Sequence, residues 1–236
     1  MKKLLLLTLL FFSFSVYSQE KKTWDYPVKP GSEKWASFTS GQQMLEACQI
    51  PKEVLAIIST KELAEICLNY PLLNDYIYVN DARNGISMKI EMFNGLKELS
   101  ERKDCFQELF NIYKNYPILT QIQNKDSKDY HVPYKLPFLE LLIADDAIIK
   151  KLDDQSLSAL GKIVIEKYEK KLENSHVYSL FNMSKTFLLG AVIIVNQNIN
   201  SISPEQKDIA KRFIDNSNNP EPALLSEISK VISELL

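Results

Sequence analysis

Apolar residues recur every three or four positions along much of this chain. Two stretches with this spacing are Leu157, Leu160, Val164, Tyr168 and Leu172, and Leu224, Ile228, Val231 and Leu235. Such spacing places the apolar side chains on one face of an α-helix. Residues 187–195 form an unbroken apolar run, too short to span a membrane, which predicts a central helix buried on most sides. The pattern therefore predicts an all-α fold.

Sequence signals for helix starts agree with this prediction. Ser40 with Gln43, and Ser59 with Glu62, have the spacing of a capping box, in which the serine oxygen accepts from a backbone N–H three residues later. Ser203 is followed by a proline, which is favoured at the first helical position because the N–H it lacks has no helical partner there. We expect helices to begin at these three serines.

The stretch 76–93 also fits a small β-hairpin. Residues 86–92 alternate between apolar and polar, and an Asn-Gly pair, a typical hairpin turn, precedes them. However, Ile86 and Ile90 also share one face of a helix, and the Met, Lys and Glu residues of this stretch favour helices. We expect a helix here, with the hairpin as the alternative.

A twelve-residue pattern occurs twice, 46 residues apart. Residues 62–73 and 108–119 share a Glu-Leu pair, an Ile three positions after the Leu, and an Asn-Tyr-Pro sequence. Because a proline disfavours helical geometry in the residue before it, each helix is expected to end there. A period of this length is typical of two-helix repeats that stack. We predict an irregular α–α superhelix or helical-repeat array; two unrelated helices with similar ends are the alternative.

The first eighteen residues have the pattern of a secretory signal peptide. Lys2 and Lys3 give a basic start, residues 4–16 are almost wholly apolar, and small residues end at Ser18. A membrane-spanning helix needs about 20 apolar residues, more than this run supplies. We predict that residues 1–18 are removed, that no transmembrane segment follows, and that the protein is periplasmic or secreted. A retained anchor is the alternative.

Composition narrows the classes of partner. The 236-residue chain has a formal net charge of −2, which becomes −4 when the two lysines of the signal peptide are lost. Without a basic tract, binding of nucleic acid or anionic lipid has no electrostatic support. Six glycines are few for the many tight turns of an all-β protein. We assign residues 19–35 to an extended N-terminal strap and residues 36–236 to a single helical domain.

The strap holds both tryptophans of the chain. Trp24, Tyr26 and Trp35 lie there with two prolines, which bias the residues before them to extended conformations. Because large aromatic rings are costly to leave in water, we expect them to dock in a groove of the helical body. In the alternative interpretation, these three residues form an aromatic binding surface, for example for a sugar.

Three cysteines permit at most one internal disulfide. Cys48 and Cys67 are 19 residues apart in neighbouring predicted helices, so they are the candidate pair in an exported protein. The alternative is that all three cysteines are small buried hydrophobic residues. Cys105 has no adjacent histidine or cysteine in the sequence, so nothing marks it as a nucleophile.

Several segments carry a resemblance to a known group of proteins. Residues 24–31 read Trp-Asp-Tyr-Pro-Val-Lys-Pro-Gly, residues 67–71 read Cys-Leu-Asn-Tyr-Pro, and residues 93–96 read Phe-Asn-Gly-Leu. On these segments the chain resembles uncharacterised exported helical proteins of Bacteroidetes that begin with the same eight residues. The resemblance covers most of residues 24–175. It implies an exported, mostly helical protein in the envelope of a double-membraned bacterium, and it brings no catalytic residues.

Paired carboxylates occur at Asp145-Asp146 and at Asp153-Asp154. Neither pair belongs to a calcium loop with alternating oxygen ligands and a central glycine. We expect helix caps and solvated carboxylates, with Asp154 as a natural N-cap.

Catalytic residues are hard to find in this sequence. His131 and His176 lie in expected connections, where a hydrolase could use one of them as a base beside a nucleophile. The sequence contains no nucleophile elbow and no metal or cofactor motif. The leading hypothesis is a non-enzymatic binding or scaffolding protein of the bacterial envelope, for a protein, peptide or glycan partner. The alternative is a helical hydrolase that uses His131 or His176.

Overall fold

A computed structural model of the chain describes residues 24–78, 81–118, 132–198 and 201–235; the predicted signal peptide lies outside these ranges. The described residues contain helices and no strand, which confirms the prediction of an all-α fold. The α-helices are α1 Glu33–Ala36, α2 Gly41–Ala47, α3 Lys52–Leu55, α4 Thr60–Leu68, α5 Ala82–Met92, α6 Asn94–Glu101, α7 Cys105–Asn115, α8 Val132–Ile143, α9 Asp146–Ile149, α10 Asp154–Glu173, α11 Leu180–Asn196, α12 Pro204–Asn216 and α13 Pro222–Leu235. A 3₁₀-helix spans Leu73–Tyr78.

The three predicted helix starts are confirmed. Ser40, Ser59 and Ser203 are the N-caps of α2, α4 and α12, and each side chain accepts the backbone N–H three residues later. At Ser203 the box is complete, because the Gln206 side chain accepts the Ser203 backbone N–H in return. At Ser40 only the serine half forms, since the Gln43 side chain accepts from Thr39 instead.

Residues 82–92 form helix α5, so the hairpin alternative is wrong. Asp81 is the N-cap of this helix, and its carboxylate accepts the backbone N–H groups of Arg83 and Asn84 in the first turn. Ile86 and Ile90 then lie one turn apart and are both buried. The side-chain cap and the buried face together outweigh the Asn-Gly turn signal.

Helix α11 is the centre of the core, as its apolar run predicted. It packs against α8, α9, α10, α12 and α13. Residues 187–194 are all buried. At Gly190 an added Cβ would lie 2.7 Å from Ile232 Cδ1, so the missing side chain allows α13 to approach α11 closely. Of the described residues, no helix is long and apolar enough to cross a membrane.

The first parts of the two copies of the sequence pattern lie in α4 and α7, which pack against each other. Helices α4 and α7 are in contact, and Leu63 and Leu109 are both fully buried. Residues about one repeat apart are also joined: Thr60 Oγ1 donates to Asp104 at 2.8 Å, and Arg102 donates to the carbonyls of Ile58 and Leu55 at 2.7 and 2.8 Å. These contacts agree with a repeat, but the superhelical arrangement stays a prediction.

The strap is only partly extended, which corrects one expectation. Residues 24–32 contain no helix, whereas Trp35 lies in the short helix α1. Ser32 is the N-cap of α1, and its hydroxyl accepts the Trp35 backbone N–H at 3.2 Å. Gly31 precedes it with a φ of 87°, a left-handed conformation that glycine adopts without strain.

Candidate binding site

An acidic cleft lies where α5, the turn between α8 and α9, and the end of α12 meet. It has a volume of about 350 Å³. Its lining residues are Asp81, Arg83, Asn84, Ser87, Asp145, Asp146, Ile214 and Asp215. Four carboxylates therefore face one guanidinium group in the lining, so the cleft has an excess of negative charge.

Two of the four carboxylates of this cleft are fixed at helix starts. Asp81 is the N-cap of α5, and Asp145 is the N-cap of α9, where it accepts the Ala147 N–H at 2.9 Å. The hydroxyl of Ser87 also donates to Asp145 at 2.7 Å, which joins α5 to α9. Carboxylates are stabilised at helix N-termini because the unpaired N–H groups there carry partial positive charge. This position accounts for Asp81 and Asp145, but not for Asp215, which lies in the last turn of α12.

Only part of the negative charge in the cleft is neutralised by described ion pairs. Arg83 lies 3.3 Å from Asp146, and Lys150 lies 2.7 Å from the other oxygen of the same carboxylate. The side chain of Asp215, which α12 contributes to the cleft, is exposed. A cationic group entering the cleft would therefore meet Asp215, whereas at Asp146 it would compete with Arg83 and Lys150.

Two exposed methionines continue the surface of α5 beyond the cleft. Met88 and Met92 lie one turn apart, and each is 51% exposed. The Gln49 side chain donates to the Met92 carbonyl at 3.1 Å and so holds the end of α2 against the end of α5. Methionine side chains are flexible and polarizable, and they adapt to apolar partners of different shape. The surface made of the cleft lining together with Met88 and Met92 thus has an acidic part and an apolar part, and we call this surface the α5 face.

The predicted aromatic residues of the strap are docked on the helical body. Tyr26 is buried, and its hydroxyl donates to the Ile66 carbonyl at 3.0 Å. Its ring centre lies 6.3 Å from that of Tyr70 and 6.4 Å from that of Phe93. Burial raises the pKa of the Tyr26 hydroxyl well above its usual value, so it is a hydrogen-bond donor at neutral pH.

Each tryptophan packs edge-on against another aromatic ring. Trp24 is half-buried and meets the Tyr26 ring edge-on, with 4.8 Å between ring centres. Trp35 is also half-buried, and it packs edge-on against Phe38 at 5.9 Å. The structure brings Trp24 and Tyr26 together, while Trp35 packs elsewhere. This geometry agrees with docking of the strap, and a ligand-binding role of the three rings stays a prediction.

All three cysteines are buried free thiols, so the candidate Cys48–Cys67 bridge is not formed in this structure. Burial raises the pKa of Cys48 and of Cys105 to about 11, and raises that of Cys67 well above its usual value. At neutral pH all three are protonated. They pack as small hydrophobic residues, as the alternative interpretation expected.

The residues proposed for a hydrolase are not assembled into a site by the described parts of the chain. His176 is exposed in the turn that follows α10, and His131 lies outside the described residues. The N-cap of α10 is Asp153, not Asp154 as expected; Ser156 hydrogen bonds to its carboxylate and lowers its pKa. Asp154 accepts the Asn198 N–H at 3.0 Å. Within the described ranges, no group of three or more His, Cys, Asp or Glu side chains could hold a metal ion.

Sequence reasoning missed a buried polar cluster between α7, α8, α10 and α11. Lys171 and Glu140 have no exposed surface, and the lysine lies 2.8 and 2.9 Å from the two carboxylate oxygens. Thr186 accepts from Lys171 at 2.7 Å, and Tyr113 donates to Glu140 at 3.2 Å. Since no solvent reaches these groups, the cluster joins four helices and is not a site for a ligand.

Comparison with known proteins does not identify this chain. No family model matches it, and no curated protein and no solved structure matches it either. The resemblance to exported Bacteroidetes proteins therefore stays a prediction.

Proposed function

We propose that this protein is an exported, non-enzymatic binding protein of the bacterial envelope, and that its α5 face binds a basic, amphipathic protein segment. One observation carries the proposal: α5 both contributes residues to the lining of the acidic cleft and carries the exposed pair Met88 and Met92. Asn84 of the cleft lining, Met88 and Met92 follow one another at intervals of four residues along one side of α5, a span of about 12 Å along the helix axis. A partner helix can span that distance in about two turns.

The chemistry of the α5 face favours a cationic partner. An acidic cleft attracts cations, and opposite charges on two surfaces accelerate their association. The methionines supply an apolar surface that adapts to the partner's side chains. A helix with lysine or arginine on one face and leucine or phenylalanine beside them matches both parts of this surface.

The packing of the two tryptophans favours a protein segment over a glycan as the partner. Glycan binding would use exposed aromatic faces, and both tryptophans of the chain pack edge-on against other rings. The exposed large apolar side chains include Met88 and Met92 instead. The partner is therefore proposed to be a protein.

Export is proposed from the sequence of residues 1–18. We expect the protein purified from the envelope of a bacterium that produces the full chain to begin at Gln19, since the small residue Ser18 ends the apolar segment. Amino-terminal sequencing after cell fractionation measures this directly. Recovery of the intact chain, starting at Met1, in the cytosolic fraction would contradict export.

The binding proposal is tested with an 18-residue Lys/Leu amphipathic peptide that carries a fluorescent label. Its anisotropy is measured as the mature chain is added. We expect binding that weakens about three- to tenfold in the double variant Asp146→Asn, Asp215→Asn, because two exposed charges are lost. Raising the salt concentration should weaken wild-type binding in the same direction, because salt screens exposed charges.

Matched variants distinguish binding at the α5 face from general electrostatic attraction between the peptide and the protein. Glu53→Gln removes an exposed carboxylate on α3 and should leave the affinity unchanged. Met88→Ser with Met92→Ser should weaken binding without changing its salt dependence. A peptide with Glu in place of Lys should not bind. Equal affinities for the wild-type protein and for both double variants would refute the α5 face as the binding surface.

A further inference from the structure

The sulfur-containing side chains of the described ranges differ widely in exposure. Met88 and Met92 are each 51% exposed, whereas Met183 is 8% exposed and Met44 is partly buried. The cysteines are buried free thiols, and Met1 belongs to the predicted signal peptide. Among the described sulfur groups, a small oxidant in the solvent therefore reaches the two methionines of the α5 face most easily.

Met88 and Met92 lie on the side of α5 that faces away from the core. Each of them comes two residues after a buried isoleucine, Ile86 or Ile90. With 3.6 residues per turn, two residues correspond to about 200° around the helix, which places each methionine opposite its isoleucine. The two methionines are four residues apart, or about 6 Å along the axis. Oxidation of both therefore changes one side of one helix.

Helix α5 is attached to the rest of the protein through groups other than the thioethers. Its two isoleucines are buried. The Lys89 ammonium group donates to the Leu72 carbonyl, and the Gln49 side chain donates to the backbone carbonyl of Met92. An oxygen atom added to either methionine sulfur leaves these contacts in place. We expect oxidation to change the surface of α5 while the helix stays folded.

We propose that Met88 and Met92 are a reversible oxidation site, and that conversion of their thioethers to sulfoxides by a peroxide weakens binding at the α5 face. A sulfoxide is polar and accepts hydrogen bonds. Against a leucine or phenylalanine of the partner, its oxygen would lose water and gain no donor, which costs free energy. The regulatory role rests on the proposed function, whereas the oxidation site itself does not.

The reaction is a two-electron oxidation at sulfur. A lone pair of the thioether sulfur attacks one oxygen of the peroxide, the O–O bond breaks, and an S–O bond forms. With hydrogen peroxide, the other oxygen leaves as hydroxide and takes up the remaining proton to give water. The sulfur is oxidised to the sulfoxide, and the peroxide is reduced.

The oxidation site is tested by treating the folded mature chain with hydrogen peroxide and following each methionine by peptide mass spectrometry. We expect Met88 and Met92 to react about tenfold faster than Met183, and clearly faster than Met44, because they are more exposed. In urea the four rates should become similar. Circular dichroism should show the same helix content before and after selective oxidation. Equal rates in the folded chain, or loss of helix on selective oxidation, would overturn the proposal.

The regulatory role is tested with the labelled Lys/Leu peptide, by comparing the Kd of each protein after and before peroxide treatment. We expect the Kd of the wild type to rise about fivefold or more, with the same salt dependence, since no charge is changed. The double variant Met88→Leu, Met92→Leu carries apolar side chains of similar volume without a thioether. Its Kd should not change on treatment. Met44→Leu should show the same rise as the wild type.

Reversal of the oxidation distinguishes this effect from damage elsewhere in the chain. Methionine sulfoxide reductases acting on both sulfoxide epimers, supplied with a dithiol, should restore the Kd of the untreated wild type. An equal rise in Kd in the wild type and in the double leucine variant would overturn the regulatory role. Failure of the untreated wild type to bind the peptide would refute the proposed function and, with it, the regulatory role; the oxidation rates would still decide the modification site.

Discussion

At the scale of single residues, the least expected feature is the buried ion pair between Lys171 and Glu140. A signal for it exists in the sequence: Lys171 continues the apolar face of α10, and Glu140 interrupts a nearly continuous apolar run. That the two side chains meet could not be predicted, since it depends on how α8 packs near α10. Burial lowers the pKa of Lys171, while the charge of Glu140 opposes this effect.

We expect Lys171→Met to destabilise the protein by about 3–5 kcal/mol, because it leaves the Glu140 carboxylate buried without its partner. The double variant Lys171→Met, Glu140→Leu should lose less than Lys171→Met does, since no buried charge is then unpaired. Urea denaturation of the wild type, both single variants and the double variant measures the coupling free energy. Strictly additive losses would show that the pair does not act as a unit.

Lys185 allows a prediction about pH. Burial lowers its pKa from 10.5 to about 8, and the charge of Asp81 opposes the shift. Between pH 8 and 10.5 the unfolded chain binds more protons at this lysine than the folded chain, so its contribution makes the protein more stable as pH rises. The free energy of unfolding of the wild type minus that of Lys185→Met should therefore increase over this range, by up to about 3 kcal/mol. A difference that stays constant with pH would contradict this.

At the scale of elements, helix starts were predictable because their signals are local. Ser59 and Ser203 act on backbone groups within three residues, so sequence and structure agree. The helix α1 was missed although Ser32 precedes it, because the prolines of the strap suggested extended backbone throughout. The choice between helix and hairpin at α5 was harder, since burial of Ile86 and Ile90 depends on elements distant in sequence.

Gly95 in α6 is a position where this packing can be tested. A Cβ there would lie 2.5 Å from Phe93 Cζ and 2.8 Å from Ile50 Cδ1, so both of these buried side chains, or α6 itself, must move. Alanine normally stabilises a helix relative to glycine. Here we expect Gly95→Ala to destabilise the protein by about 1–3 kcal/mol, owing to overpacking. Thermal unfolding of Gly95→Ala beside Gly41→Ala, where an added Cβ meets nothing within 4 Å, measures it; a stabilised Gly95→Ala would be inconsistent with the packing.

At the scale of the whole molecule, the spacing of apolar residues predicted the fold class but not the candidate binding site. Residues 187–195 of α11 form an unbroken apolar run, and this run predicted that the helix lies at the centre of the core. The acidic cleft could not be predicted, since it joins residues near positions 81, 145 and 215. The sequence predicts helix caps and solvated carboxylates at Asp145 and Asp146, and Asp145 is the N-cap of α9. That prediction concerns neighbouring residues only, so it does not show that Asp81 and Asp215 line the same cleft.

The most direct test of the proposed function is hydrogen exchange of the backbone amides in the mature chain, with and without the Lys/Leu peptide. We predict slower exchange on binding in α5, in the turn between α8 and α9, and at the end of α12. Exchange in α3 and α10 should not change. Protection confined to other helices, or no protection at a saturating peptide concentration, would contradict the proposal that the α5 face binds a basic, amphipathic protein segment.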